Sequence, residues 1–412
     1  MYQFLYNIGI VLLGTLMKTA SVFHSKARLW VRGRKNVFAE IKSQIAENDK
    51  VIWLHASSLG EYEQGLPVFT ALKAKYPDRK FALSFYSPSG FEVVKNKTWA
   101  DVIFYLPLDT PQKVKELVRI LHPELAIFVK YDFWFNLLTE LAKNKIKTFF
   151  ISAIFRSDQI YFKPQGKWFI SIFQKVTHFF VQDEKSQKLL QSVGINQVTV
   201  SGDTRFDRVK MLLKRDNHLD WLVQFKQSQK LIVAGSTWKE DDELLENFIN
   251  QKLTKYVKIL IAPHNMNTEY FQKFKSELNA ATILFSAIKE KNPADFQVLI
   301  LDTVGLLTKV YSYADIAYVG GGFTRGIHNV LEPAVFGIPV LYGANFQKFI
   351  EAQELLDAGG SIVVHNQQEM DSCFTELFDN EEKRENIGLK AKNYVLQKPD
   401  STEVILKGMI ID

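Results

Sequence analysis

A chain of 412 residues with 47% hydrophobic content, 23% charged content and no solenoid-period repeat or low-complexity tract is neither disordered nor fibrous, and has room for two domains of ordinary size. Its single cysteine, Cys373, excludes an intrachain disulfide and a cysteine-rich metal site and fits a reducing, cytoplasmic setting. The net charge of +6 is uneven: Lys18, Lys26, Arg28, Arg32, Arg34 and Lys35 all precede the first acidic residue, Glu40. That arrangement suits an anionic membrane surface and argues against a nucleic-acid partner, for which basic residues would be spread over a folded domain.

From Tyr2 to Phe23 the chain is apolar apart from Asn7, Lys18 and a few hydroxyl residues. Roughly 20 apolar residues cross a bilayer, so residues 1–24 are expected to form an uncleaved membrane anchor with its basic flank inside. A shallow interfacial helix and an ordinary buried helix of the first domain are the alternatives. A cleaved signal peptide is disfavoured, because no positive stretch precedes the apolar run.

From Val51 onward short apolar runs alternate with helical patterns: Val51 to His55, Phe81 to Phe85, Val102 to Leu106, Leu125 to Val129, Thr148 to Ser152, Phe179 to Val181 and Val198 to Val200. This rhythm predicts a parallel sheet covered on both faces. Charges and amides from Phe206 to Gln229 interrupt it, and Leu231 to Gly235 restarts it, followed by Ile259 to Ala262, Ile283 to Phe285, Val298 to Leu301, Ile316 to Val319 and Val340 to Tyr342. The expected organisation is therefore an α/β protein with domains at 25–215 and 216–412, the second ending in a helical C-terminus. Open sheets of this kind bind ligands at the carboxyl ends of their strands, here in a cleft between facing domains.

The strand-end residues carry the candidate chemistry. Leu54-His55-Ala56-Ser57-Ser58-Leu59-Gly60-Glu61 ends the first strand, and Glu61 is placed either as a general base or as the closing carboxylate of a capping box with Ser58. Lys130 and Asp132 follow a second strand end, and either line the same crevice or pair with one another. Arg205 can meet a phosphate or carboxylate, or lie solvated at a domain edge.

In the second half, Gly235-Ser236-Thr237 is both a fair anion cradle and a fair helix cap. Pro263 stops a strand, and His264 projects beyond it, although a lone histidine is more often structural. The densest stretch is Tyr318 to Pro333, where three glycines, including Gly321 and Gly322, allow close backbone approach to a ligand and a helix opens near Asn329. Asn329 and Glu332, one turn apart, can hold ribose hydroxyls; the alternative is a glycine-rich connection capped by Asn329. No HExxH, clustered His/Cys or DxD pattern indicates a metal site, and no Walker or GxGxxG pattern is present.

Together these residues resemble the 3-deoxy-D-manno-octulosonic acid (Kdo) transferases that act on the lipid A precursor. The likeness rests on the apolar N-terminus, the His-x-x-Ser-x-Gly-Glu pattern ending at Glu61, Asp132-Phe133-Trp134, the turn at Ser236, Pro263-His264, and the Gly-Gly-x-Phe…His-Asn-x-x-Glu-Pro run ending at Pro333, and it covers nearly the whole chain. The resemblance implies a GT-B glycosyltransferase at the cytoplasmic face of the inner membrane, using CMP-Kdo and a lipid A precursor without metal or cofactor. It implies Glu61 as proton acceptor and Arg205 as a cation at the transition state. It implies donor contacts at Pro263, His264, Val304, Gly305, Leu306, Asn329, Val330, Leu331 and Glu332. Ser236, Thr237, Gly321, Gly322 and His328, in the neighbouring turns, are expected to line the same donor site, and the helix dipole near Asn329 is expected to assist the departing CMP. Where the family often reads Glu-x-Glu-Leu-Trp, this chain has Lys130-Tyr131-Asp132-Phe133-Trp134, so the first carboxylate is a lysine. The alternatives are a GT-B enzyme for a UDP-sugar, a non-hydrolysing sugar-nucleotide epimerase, and a membrane-tethered binding protein without turnover.

Overall fold

The computed structural model describes residues 2–96 and 99–409. The chain divides into two compact units, one of residues 1–208 joined by 399–412, the other of residues 209–398. The division falls seven residues before the boundary expected after 215, because Thr204–Lys210 is a continuous helix that carries the chain out of the first unit.

The first unit contains a parallel sheet of β1 (Val51–Ala56), β2 (Lys80–Phe85), β3 (Val102–Tyr105), β4 (Pro123–Val129), β5 (Lys147–Ala153), β6 (His178–Val181) and β7 (Val198–Val200). Their order is β3-β2-β1-β4-β5-β6-β7. Every residue of β1 is buried, as a strand covered on both faces requires. Val51 and Trp53 belong to one core layer, while Ile52, Leu54 and Ala56 belong to the opposite one. Each large apolar side chain so buried is worth about 1.5–3 kcal/mol of transfer free energy, which is what holds the helices to the two faces.

The second unit repeats the plan with β8 (Lys230–Thr237), β9 (Val257–Pro263), β10 (Thr282–Leu284), β11 (Val298–Ile300), β12 (Ile316–Val319), β13 (Val340–Gly343) and β14 (Ser361–Val364). The order is β10-β11-β9-β8-β12-β13-β14, again all parallel. Each apolar run named above overlaps one of these strands. β14 is a strand the apolar runs did not reveal, a short edge strand with two half-buried residues, too brief to show a period; the elements after it are all helices, as expected of the C-terminus.

In each sheet the strand order reverses beside the first strand, between β1 and β4 in one and between β8 and β12 in the other. Such switch points leave a crevice at the carboxyl ends of the strands. The segments read as chemical in the sequence, 55–61 with 130–132 and 235–238 with 320–332, follow these two strand pairs.

The N-terminal helix, Tyr2–Phe23, is long and apolar enough to cross a membrane by length and composition, and little of it is buried. It packs a narrow stripe against the first unit. Ile10 and Gly14 are its buried residues, and at Gly14 a side chain would run into Leu108. Tyr6 donates to Asp109 Oδ2 at 2.6 Å, and Asn136 Nδ2 donates to Asn7 Oδ1 at 2.8 Å. Phe4, Leu5, Ile8, Val11, Leu12 and Leu16 remain exposed.

Candidate active site

In the first unit the backbone of β1 ends at Ala56, and the helix Leu59–Lys75 begins three residues later with Ser58 as its cap. The cap is not the reciprocal box expected from the S-x-x-E pattern. Ser58 Oγ accepts from the Glu61 N–H at a long 3.4 Å, while Glu61 Oε2 accepts from the N–H of Ser57 at 2.5 Å, one residue further back. The carboxylate is thus drawn from the helix start toward the end of the strand. It is 8% exposed. Burial first, then the neighbouring Asp132 charge, pushes its carboxyl above the ordinary carboxylate range, against the Ser57 N–H, His55 and Lys130, which pull it down.

Asp132 is therefore close to Glu61, and it accepts hydrogen bonds from His55 Nε2 at 2.9 Å and from the Ser57 hydroxyl. Lys130 has φ 65°, a left-handed conformation that lysine seldom adopts, and its N–H donates to Ile151 O at 2.9 Å, joining β4 to β5. The kink swings the 131–132 segment out of the strand direction and presents Asp132 to β1. Arg205 lies at the end of the same sheet, after β7. Its Nε donates to Asp203 Oδ2 at 2.7 Å, and Gln64, one turn beyond Glu61, donates to Asp203 Oδ1 at 2.7 Å. Arg205 is therefore an anchored cation rather than a solvated one.

In the second unit β8 ends in Gly235-Ser236-Thr237, with Ser236 at φ 55°. The helix Lys239–Gln251 follows, closed by Asp241, whose Oδ2 accepts from the N–H of Trp238 and from that of Gly321, both at 2.8 Å. Tyr318 donates to Asp241 Oδ1 at 2.6 Å. One buried carboxylate thereby fastens the start of the helix after β8 to the glycine turn after β12. The turn's glycines are needed for packing within the chain: a Cβ on Gly320 would lie 2.5 Å from Thr237 Cα, and one on Gly322 2.5 Å from Gly343 Cα. Their smallness, read in the sequence as room for a ligand, is taken up by the protein's own backbone.

Above this turn three rings stack. His264 lies 4.5 Å from Trp238 and 4.5 Å from His328, centroid to centroid. Trp238 Nε1 donates to His328 Nε2 at 3.1 Å, which assigns the His328 proton to Nδ1. Burial, then His264, lowers His328 to about 4, and burial, then Arg325, lowers His264. Both rings are uncharged near neutral pH. The Arg325 guanidinium lies 4.4 Å from the Trp238 centroid, a cation–π contact. Beside the stack is a cavity of about 320 Å³ lined by Thr237, Trp238, Asp242, Pro263, Tyr270 and Arg325 among others.

Asn329 and Glu332 come together as expected, Asn329 Nδ2 donating to Glu332 Oε1 at 3.1 Å, and Asn329 Oδ1 also accepts from Leu331 N–H at 3.1 Å. The helix they open is only Leu331–Ala334, one turn, with Val330 and Leu331 buried beneath it. One turn has little macrodipole, which corrects the expectation that this helix assists a departing anion. Val304, Gly305 and Leu306 form a loop beyond β11, Val304 76% exposed and Gly305 at φ 90°. Among the described residues no group of three or more His, Cys, Asp or Glu side chains is placed to hold a metal ion.

Trp238, Asp241, Tyr318 and Arg325 were not singled out by the sequence reading. Acids in the first turn of a helix are commonplace, and an arginine among glycines reads only as loop.

Two parallel seven-stranded sheets, each with its site residues after the strands at a switch point, define the GT-B class of glycosyltransferase folds. A solved UDP-GlcNAc 2-epimerase of Neisseria meningitidis has the same fold, with a TM-score of 0.62 and 16% identity over 87% of this chain and 99% of that one. Residues 32–208 match the family model of 3-deoxy-D-manno-octulosonic-acid transferase (kdotransferase). The chain is 26% identical over 404 residues to the 3-deoxy-D-manno-octulosonic acid transferase of Chlamydia trachomatis serovar A, covering 94% of this chain and 92% of the relative. It is 27% identical over 350 residues to that of Haemophilus influenzae, covering 82% and 81%. Over most of its length the chain is therefore similar to these transferases, and the relatives indicate a glycosyltransferase.

Proposed function

We propose that this chain transfers Kdo from CMP-Kdo to a hydroxyl of the lipid A precursor, lipid IVA, at the cytoplasmic face of the inner membrane. Glu61 takes the acceptor proton as the hydroxyl oxygen attacks the anomeric carbon and the bond to the CMP phosphate breaks. The observation that carries this reading is the placement of Glu61: a buried carboxylate at a switch point, with a raised pKa and a fixed orientation from Ser57. Arg205, anchored by Asp203, offers a fixed positive charge for the developing anion.

The second unit is the donor side in this reading. The neutral ring stack of Trp238, His264 and His328 suits a nucleobase or sugar face, Arg325 suits an anionic group, and Asn329 with Glu332 suits ribose hydroxyls. The exposed apolar side of Tyr2–Phe23, continued by Lys26, Arg28 and Arg32, suits an anionic lipid surface. Its docked stripe, tied down through Tyr6 and Asn7, favours a helix lying along the membrane over one crossing it.

The test is to incubate the purified protein with CMP-Kdo and the tetraacylated disaccharide and weigh the lipid by mass spectrometry. A mass gain of one or more Kdo units is expected. Turnover of UDP-GlcNAc without acceptor, and none of CMP-Kdo, would instead identify a sugar-nucleotide epimerase.

A further inference from the structure

Behind the two carboxylates of the first unit lies a buried polar chain that the reaction as described does not use. His55, 0% exposed, is paired in the parallel register with Ser84 of β2 and with Phe128 of β4. Its Nδ1 is 2.8 Å from Ser84 Oγ, and its Nε2 is 2.9 Å from Asp132 Oδ2. Ser84 Oγ also accepts from Trp53 Nε1 at 2.8 Å.

The hydrogen positions follow from counting donors. An indole N–H only donates, so Ser84 Oγ must accept from Trp53, which leaves the single serine hydrogen for His55 Nδ1. His55 then carries its proton on Nε2 and donates it to Asp132. The opposite tautomer would face a bare nitrogen against a carboxylate and strand the Ser84 hydrogen in a fully buried site. The chain is completed by Ser57, whose hydroxyl donates to Asp132 and whose N–H donates to Glu61. One residue therefore holds both carboxylates, and His55 fixes the second of them from behind.

We propose that His55 is a positioning residue for the transfer: Ser84 sets its tautomer, and its Nε2–H fixes the Asp132 carboxylate in place beside Glu61. The inference rests on the reading of Glu61 as the general base. Lys130 and His55 are the other titratable neighbours that act on Glu61, while Tyr86 and Tyr161 are the tyrosines close enough to feel the Asp132 charge. Of these groups, His55 meets Asp132 at hydrogen-bond distance, 2.9 Å. Without the His55 N–H, Asp132 can rotate away, and its charge is then withdrawn from beside Glu61. Glu61 acts only when ionised, so the acid limb of the pH profile of kcat follows its pKa, and losing the Asp132 charge moves that limb to lower pH.

The experiment compares pH profiles of the full-length wild type, His55→Phe, His55→Gln, Ser84→Ala and Glu61→Gln, with CMP-Kdo and the lipid acceptor. The phenyl ring fills the same space against Phe128 but has no N–H; the glutamine amide reaches Asp132 with one. His55→Phe is expected to lower kcat about tenfold or more with little change in donor KM, and to displace the acid limb downward. His55→Gln should restore the limb, and Ser84→Ala should displace it in the same direction by less. An unshifted limb in His55→Phe, or a His55→Gln profile like that of His55→Phe, overturns the positioning role while an inactive Glu61→Gln leaves the base reading standing. A Glu61→Gln enzyme with wild-type turnover overturns both. Should the ring substitution fail to fold, nitrogen-15 spectra of histidine-labelled wild type decide directly, with the His55 signal assigned by its absence from His55→Gln: protonated Nε2 with bare Nδ1 supports the assignment, and the reverse tautomer ends it.

Discussion

Glu61 accepts its hydrogen bond from Ser57, not from the helix cap Ser58, and this one-residue displacement turns a cap residue toward the strand end. Glutamine can still accept from Ser57 N–H through its amide oxygen, so Glu61→Gln should fold and melt like the wild type. It cannot take a proton. Turnover should fall roughly 10²–10⁴-fold with CMP-Kdo affinity near normal. A mutant that keeps wild-type turnover across pH would shift attention to Asp132.

On the donor side, Glu332→Ala should weaken CMP binding by about 1–3 kcal/mol, the worth of a charged hydrogen bond. Because Asn329 donates to Glu332, the double mutant with Asn329→Ala should lose less than the sum of the two single losses. Calorimetry measures both quantities, and unchanged affinity in Glu332→Ala would leave that residue a purely structural partner of Asn329.

Asp242 offers a stability test independent of turnover. It is 2% exposed and accepts from Tyr270 at 2.6 Å; burial, against the hydroxyls of Thr237 and Tyr270, raises it from 3.8 to about 7. A carboxyl whose folded pKa is raised contributes stability that is full below its unfolded value and is lost as pH rises through the folded one. Between about pH 5 and about pH 8 the wild type should therefore lose on the order of 2 kcal/mol that Asp242→Asn retains. Urea unfolding of both proteins at the two pH values checks this, and parallel losses would contradict it.

Turnover is expected to persist in EDTA, because the proposed displacement uses a base and a fixed cation from the chain itself. A loss reversed by magnesium would mean that a divalent ion rides on the substrate phosphates.

Removing the residues before Ser25 should release the protein from inner membranes in sedimentation. If the truncated form binds vesicles of anionic lipid as before, another surface makes the contact.

The strands were legible because both faces of each sheet are covered, which leaves apolar runs such as Ile316 to Val319 unbroken. Glu61 was legible as a residue three beyond a serine at a strand end. Its partner was not, since the choice between Ser57 and Ser58 depends on how the turn lies. The His55–Ser84–Trp53 chain could not be read at all: Ser84 is 29 residues from His55 and meets it only through the parallel register of β1 and β2. The ring stack likewise joins residues from three separate loops. The shortness of the helix at Leu331 was not legible either, since its end is set locally, near Gly337 at φ 83°.

The last helix, Ser401–Gly408, starts on Asp207, whose carboxylate accepts from the N–H groups of Ser401 and Thr402, and Ile405 and Met409 join a core layer of the first sheet. The second unit is thus an insertion into the first. A ribosome that has finished residue 208 has not yet supplied all the pieces of that unit; its layer stays open until almost the whole polypeptide has emerged. A contiguous N-terminal fragment should therefore be poorly soluble by itself, whereas residues 209–398 form the segment that can be expressed as an uninterrupted piece.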